Sequence, residues 1–327
     1  MVVAVAAQHP SDALWDPSWE PSFGEQTILQ KSAVSAPECI LYSSWFCPFA
    51  QRGWIACEEC EVKYKWVEIN PYETDPAMPG GYTKKQLPIE TKKKLYPEFV
   101  AASPKGLVPA LAVGPEKLAE SQPIIEYVDG KFAPGRLLPT DPYKRAYARI
   151  WADYADARIQ RPYYRVLIEQ DPEARERAFA DLLQGCRDFA KAMDPVGPFF
   201  LAEFSYVDVS FFPFWHRIRT VGEHYRGVEL PDDDPDFRRL DAWWTACKAR
   251  PSIKRTLVCE PRLVASYLGY ASNTATSDYA KSIQASLSTA TRASSALEKS
   301  GRFAAPQTTT LVAVAFVLGL ALGLLRK

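Results

Sequence analysis

The period of hydrophobic and polar positions changes along the chain, and each change predicts an element. Cys39-Ile40-Leu41-Tyr42-Ser43 is a short apolar run that predicts a buried strand. It leads into Ser44-Trp45-Phe46-Cys47-Pro48-Phe49-Ala50-Gln51-Arg52. Pro48 suits the first position of a helix, where its missing N–H is not needed. Over residues 61–69, Val62, Tyr64, Trp66 and Glu68 alternate with Lys63, Lys65, Val67 and Ile69, which predicts a second strand, buried for part of its length. A third strand is expected over Ala110–Val113, and the turn Gly114-Pro115-Glu116 folds it into a hairpin with a fourth at 117–119. Ser121 as N-cap and Pro123 in the first turn then open a helix. Strand–helix–strand followed by hairpin and helix is a thioredoxin-like α/β arrangement occupying residues 37–134.

Leu138-Pro139-Thr140-Asp141-Pro142 reads as a linker, and beyond it the period becomes helical. Residues 143–168 carry Tyr147, Ile150, Trp151, Tyr154 and Ile159 near helical spacing, and 172–193 is a second amphipathic stretch. Ser205 and Asp208 stand three apart in a capping-box pattern that opens an aromatic helix. Residues 236–248, with Trp243 and Trp244, and a last helix over 252–268 complete an all-α domain at 140–270. An arm rich in Pro, Trp and Ser precedes the first domain at 1–36. A Ser/Thr/Ala-rich segment at 271–305 follows the second; it is a tether or a weak helix, since Tyr279, Ile283 and Leu287 are four apart.

Residues 311–325 are an unbroken run of Leu, Val, Ala, Phe and Gly with no polar face. Extended through Thr308, the segment 308–325 reaches roughly 27 Å as a helix, near the thickness of a thin bilayer core. Pro306 opens it, and Arg326 and Lys327 can snorkel at its far end. The expectation is one transmembrane helix acting as a tail anchor, with the enzyme domain in the cytosol. The mitochondrial outer membrane, the peroxisome and the endoplasmic reticulum are the membranes considered. Ala315, Gly319 and Gly323 repeat every four positions, either as a helix-dimer face or as ordinary membrane-helix composition.

Composition narrows the chemistry. The 327 residues are 47% apolar and 24% charged, with a formal net charge of zero, so no bulk attraction to nucleic acid is implied. Seven cysteines, an odd number without a secretory signal, read as reduced thiols. Three scattered histidines predict no metal site, and His216, after an aromatic run, reads as core. Cys57-Glu58-Glu59-Cys60 has redox-pair spacing but lies inside a helix, where the sulfurs are poorly aimed and the adjacent carboxylates raise thiol pKa. Cys47 differs. At a helix N-cap its sulfur meets free N–H groups and the positive end of the dipole, which favour a nucleophilic thiolate.

Cys47-Pro48-Phe49-Ala50-Gln51-Arg52, Gly106-Leu107-Val108-Pro109 and Glu120-Ser121, in that order, resemble the omega class of the glutathione transferase superfamily and its fungal and plant relatives. The resemblance covers about 37–270. It implies the glutathione-transferase fold and glutathione as co-substrate. Cys47 would form a mixed disulfide with glutathione, Phe49 would flank the tripeptide, and Val108, before a cis Pro109, would pair its backbone with the cysteinyl part. Glu120 and Ser121 would hold the γ-glutamyl end, which suits a helix start facing a carboxylate. Relatives are shorter across 71–96 and place a lysine before a Pro-Glu pair; here Tyr96 stands there, so no lysine is assigned. Lys84, Lys85, Lys92, Lys93 and Lys94 of this segment read as a solvated face, the alternative being attraction of glutathione carboxylates or an anionic membrane.

The leading expectation is a membrane-tethered, glutathione-dependent thioltransferase that reduces mixed disulfides or a dehydroascorbate-type molecule through Cys47. Alanine at position 50, where a dithiol enzyme has its second cysteine, fits a one-cysteine cycle. The alternatives are a glutathione-conjugating transferase acting on a small electrophile, and a non-catalytic membrane-associated scaffold. A homodimer is compatible with each.

Overall fold

The structure is a computed structural model that describes residues 38–75, 77–78 and 82–287. The first domain is built on a four-stranded sheet ordered β2-β1-β5-β6. Its strands are β1 (Cys39–Ser43), β2 (Lys65–Glu68), β5 (Ala110–Val113) and β6 (Glu116–Ala119); β3 (Tyr72–Thr74) and β4 (Tyr82–Gln86) form a separate antiparallel hairpin. β1 runs parallel to β2 and antiparallel to β5, and β5 runs antiparallel to β6. The helix α1 (Pro48–Glu59) crosses over between β1 and β2, the connection that a parallel pair requires. Two short helices, α2 (Ile89–Leu95) and α3 (Pro97–Ala102), precede β5, and α4 (Ser121–Phe132) follows β6. The central strands are apolar because both faces are covered: Leu41, Leu111, Ile55, Ile124 and Val128 are all buried.

The second domain is helical: α5 (Pro142–Ala155), α6 (Arg161–Ile168), α7 (Pro172–Ala192), α8 (Tyr206–Arg217), α9 (Glu223–Arg226), α10 (Pro235–Ala249), α11 (Pro251–Thr256), α12 (Glu260–Ala265) and α13 (Leu268–Ala271). One wide π turn, Asp156–Gln160, joins α5 to α6, and another, Ile218–Gly222, joins α8 to α9. The Ser205–Asp208 capping box forms, and the Asp208 carboxylate also accepts the indole N–H of Trp243 at 2.7 Å. The domains meet along α1. Buried Arg217 donates to the Phe46 carbonyl at 3.0 Å and to Gln51 at 2.8 Å. At the other end of α1, Glu59 accepts from Arg136 at 2.7 Å, from Ser252 at 2.6 Å and from Arg250.

Several boundaries differ from the sequence reading, each for a local reason. β2 is confined to Lys65–Glu68, because only those residues reach β1. The last helix is broken into three: Pro251 opens the first piece, Pro261 lies in the first turn of the second, and the third starts afresh at Leu268. Glu120 rather than Ser121 is the N-cap of α4. Of the two readings of the segment after 271, helix or tether, the described part is partly helical. Residues up to Gln284 belong to the folded unit, and 278–287 are helical. Among the described residues no helix is long and apolar enough to cross a membrane; the arm at 1–36 and the span at 308–325 lie outside the described residues.

Candidate functional site

A cavity of about 370 Å³ opens where α1 begins, and Cys47, Phe49, Val108, Pro109, Glu120 and Ser121 all line it. Cys47 is the N-cap of α1, in extended backbone conformation. Its side chain makes no capping hydrogen bond, and the nearby N–H groups of Phe49 and Ala50 act on the sulfur by favouring its charged form. The turn holding it is closed by the Cys47 N–H on the Ser44 carbonyl (3.0 Å) and the Gln51 N–H on the Cys47 carbonyl (2.9 Å). Phe49 is gripped edge-on by Phe214 (5.2 Å) and Tyr279 (5.5 Å). The Val108–Pro109 peptide bond is cis, and the turn before it is held by Gly106, at φ +61°. A Cβ on Gly106 would stand 2.8 Å from Ile89 and 2.9 Å from Lys92, so the close approach requires glycine.

Glu120 has a left-handed φ of 73°, which turns the chain abruptly from β6 into α4. Strained backbone of this kind collects at functional sites. Its exposed carboxylate takes an ion pair from Lys105 at 3.0 Å. Ser121 is buried beside the guanidinium of Arg52, whose Nη1 lies 3.4 Å from the hydroxyl. Arg52 is fixed by the Ser210 carbonyl (2.8 Å) and by a salt bridge to Asp156 at the start of the first π turn. A π turn beside a site residue is a common placement for this irregularity.

The electrostatics of Cys47 correct the expectation drawn from the helix N-terminus alone. Burial raises the thiol pKa above its ordinary value, and this outweighs the opposing effects of the Phe49 and Ala50 N–H groups and of the Arg217 and Lys84 charges. In the ligand-free site the thiol is therefore held back from ionising. The other cysteines of the first domain have fewer opposing groups: Lys131 acts on Cys39 and Arg136 on Cys60, and none is resolved at Cys57. Burial pushes Cys60 to about 12 and Cys39 to about 11, and it drives Cys57 well above its usual value. Cys57 and Cys60 are free, buried thiols, not a redox pair. His216 is buried and neutral, stacked on Phe212, with burial lowering its pKa to about 3. Among the described residues no cluster of His, Cys, Asp and Glu is arranged to hold a metal ion.

Sequence reasoning missed three contributors. Arg217, at the end of α8, favours the charged form of Cys47 from behind the cavity wall, where it bonds Gln51 and the Phe46 carbonyl, with no motif to announce it. Residues beyond α13 form one wall: Tyr279 and Ser277 line the cavity, and Tyr270 exchanges a hydrogen bond with Ser277 at 2.9 Å. Lys84 also lines the cavity and is buried, as is Lys92, whose ammonium donates to the Gly106 carbonyl at 2.9 Å. The lysine-rich segment is therefore only partly a solvated face. Its signal was visible in the charges, but the direction each side chain takes is tertiary.

Residues 41–136 match the family described as "Glutathione S-transferase, N-terminal domain", and 172–246 match "Glutathione S-transferase, C-terminal domain". A rice (Oryza sativa subsp. japonica) relative, Protein IN2-1 homolog A, is 31% identical over 61% of this chain and 73% of its own length. The chain belongs to the glutathione S-transferase family. Glutathione S-transferase L3 of Arabidopsis thaliana is 30% identical over 62% of this chain and 75% of that protein. The crystal structure of glutathione transferase Omega 3C from Trametes versicolor superposes with a TM-score of 0.60 at 30% identity, covering 78% of this chain and 98% of that one. This glutathione S-transferase family enzyme thus has relatives of more than one class, a fold with thioredoxin-like and helical domains, and glutathione as the family co-substrate.

Proposed function

We propose that the protein is a cysteine-type, omega-like glutathione-dependent thioltransferase, working through a mixed disulfide on Cys47. The observation that carries this reading is a cysteine at a helix N-cap on the cavity wall, where the first-turn N–H groups of Phe49 and Ala50 favour its charged form. The hydroxyls that a conjugating enzyme would use are turned elsewhere. Ser44 donates to the Ile69 carbonyl at 2.5 Å, and Ser43 is buried in β1. Ala50 occupies the place of a second cysteine, so the cycle closes with a second glutathione. Val108, Glu120 and Ser121 hold the tripeptide, with the N-terminal end of α4 toward a carboxylate. The apolar run 311–325 supports the further reading that this enzyme is tethered to a membrane as a tail-anchored protein.

The test is glutathione-dependent reduction of a small mixed disulfide by the full chain in mild detergent, with wild type and Cys47→Ala compared. Turnover that vanishes in the variant is the expected result. Turnover unaffected by the substitution would move the chemistry off Cys47 toward conjugation. Glutathione binding without turnover in either protein would favour a scaffold.

A further inference from the structure

The segment 71–96 and the residues beyond α13 grip each other at the mouth of the cavity. The Thr276 N–H bonds the Lys84 carbonyl at 3.1 Å, and the Gln86 N–H bonds the Thr276 hydroxyl at 3.1 Å. Gln86 and Asp278 then exchange two bonds: the Gln86 amide donates to the Asp278 carboxylate at 3.1 Å, and the Asp278 N–H donates to the Gln86 carbonyl oxygen at 2.8 Å. Gly269 lets the hairpin come this close, because a Cβ there would sit 3.1 Å from the Lys84 Cβ. The clamp holds Lys84 at a left-handed φ of 59°, and its side chain is buried. The ammonium nitrogen lies 3.6 Å from the centroid of the Phe46 ring, 4.9 Å from that of Tyr72 and 5.7 Å from that of Tyr267. Phe46 is the residue before Cys47, and both Lys84 and Cys47 line the cavity.

We propose that Lys84 is the proton partner of Cys47, carrying the thiol's proton through the catalytic cycle. The inference rests on the thioltransferase reading and adds a residue to it. The electrostatics run both ways: the Lys84 charge favours the thiolate, and the thiolate favours a protonated Lys84, whose burial otherwise drives its pKa well below the usual lysine value. Arg217 from α8 also favours the thiolate and disfavours the Lys84 cation. Tyr72 from β3, Tyr164 from α6, Tyr267 and Tyr270 from the end of the helical domain, and Tyr279 beyond it line the cavity, with Asp278 and Glu120 among the residues at its edge. Burial raises the Tyr164, Tyr267, Tyr270 and Tyr279 phenols, so these stay protonated through the working pH range. Burial raises the thiol and lowers the lysine, so the two act on one another in opposite directions and the Cys47–Lys84 pair is left to exchange the proton.

The cycle balances. Cys47 thiolate attacks the glutathione sulfur of a mixed disulfide, forming Cys47–S–S–glutathione and expelling the substrate thiolate. The Lys84 ammonium gives that thiolate its proton and becomes an amine. The amine removes the proton from an incoming glutathione thiol. The resulting glutathione thiolate attacks the enzyme's mixed disulfide, releasing glutathione disulfide and restoring the Cys47 thiolate beside the Lys84 ammonium.

The first test is the pH dependence of iodoacetamide alkylation in the full chain, read at the Cys47 peptide by mass spectrometry, for wild type and Lys84→Met. The variant is expected to react at least tenfold more slowly at pH 7, with its midpoint moved upward by at least one unit. Coincident midpoints overturn the pairing. A second measurement does not depend on the variant folding. Competitive acetylation of Lys84, followed against pH in wild type and Cys47→Ala, should show the lysine titrating lower without the thiol, and an unchanged midpoint overturns the proposal. In turnover, Lys84→Met should lose most rate on mixed disulfides with weakly acidic leaving thiols; an equal loss on all of them overturns proton transfer. Alkylation needs no turnover, so a wild type inactive on mixed disulfides would sink the function and leave the pairing tested separately.

Discussion

The two ends of α1 carry the same residue types in opposite circumstances. At the N-terminal end, Cys47 borders a cavity, and the first-turn N–H groups, Arg217 and Lys84 all favour its charged form. At the C-terminal end, Cys57 and Cys60 are sealed in the core, and the adjacent Glu58 and Glu59 are taken up by Arg255, Arg250 and Arg136. Both ends fasten the two domains together, but among the described residues only the first opens on a cavity. Residue type does not set this difference; the groups that face each side chain do.

The sharpest way to break the comparison is Cys47→Ala, expected to cost on the order of 10³-fold or more in thioltransferase rate, as measured by steady-state kinetics, with the unfolding midpoint little changed. The converse change is Glu59→Ala. It removes one member of a buried ion-pair network and should cost about 3 kcal/mol in urea unfolding, with turnover per folded molecule retained. The same carboxylate supplies a pH test. Burial alone would raise its pKa, but the bonds from Arg250 and Ser252 and the charges of Arg250 and Arg136 outweigh that and lower it. A lowered carboxylate pKa contributes stability that is present above the unfolded value of about 4.3 and is lost as pH falls through the folded value. Glu59→Gln should therefore show a shallower loss of stability than wild type on acidification below about pH 4.3.

A smaller effect is expected from Gly106→Ala, at about 1–2 kcal/mol by thermal unfolding, because alanine at φ +61° also presses on Ile89 and Lys92. Smallest of all, Cys60→Ala should change stability by about 1 kcal/mol and leave the rate within about twofold. A rate loss there comparable to that of Cys47→Ala would sink the contrast between the two ends.

The parts legible in the sequence were those with local causes. Pro48 after Cys47 marks a helix start, Ser205 with Asp208 marks another, and the short apolar runs at 39–43 and 110–113 mark central strands. The residues named for the site, from Cys47 to Ser121, do come to one cavity. What was not legible depends on distant partners. The helix N-terminus argues for a thiolate, yet burial, which only the folded chain creates, reverses the sign. Tyr96 occupies the place where a lysine was sought, while Lys84, inside a run that reads as surface, is turned inward by bonds to residues some 190 positions away. Asp156 and Arg217 carry no motif, because their roles come from where α5 and α8 end.

The clamp between β4 and residues 276–278 also has a meaning in time. Chains fold roughly in the order they are made, so the first domain and its cysteine are in place long before Thr276 and Asp278 are synthesised. Until they arrive, the hairpin that carries Lys84 has nothing to close against. A nascent or C-terminally clipped molecule would keep a cysteine at its helix start and yet lack the lysine beside it. On the proposed pairing, the proton partner of the cysteine is supplied only when most of the polypeptide has been read.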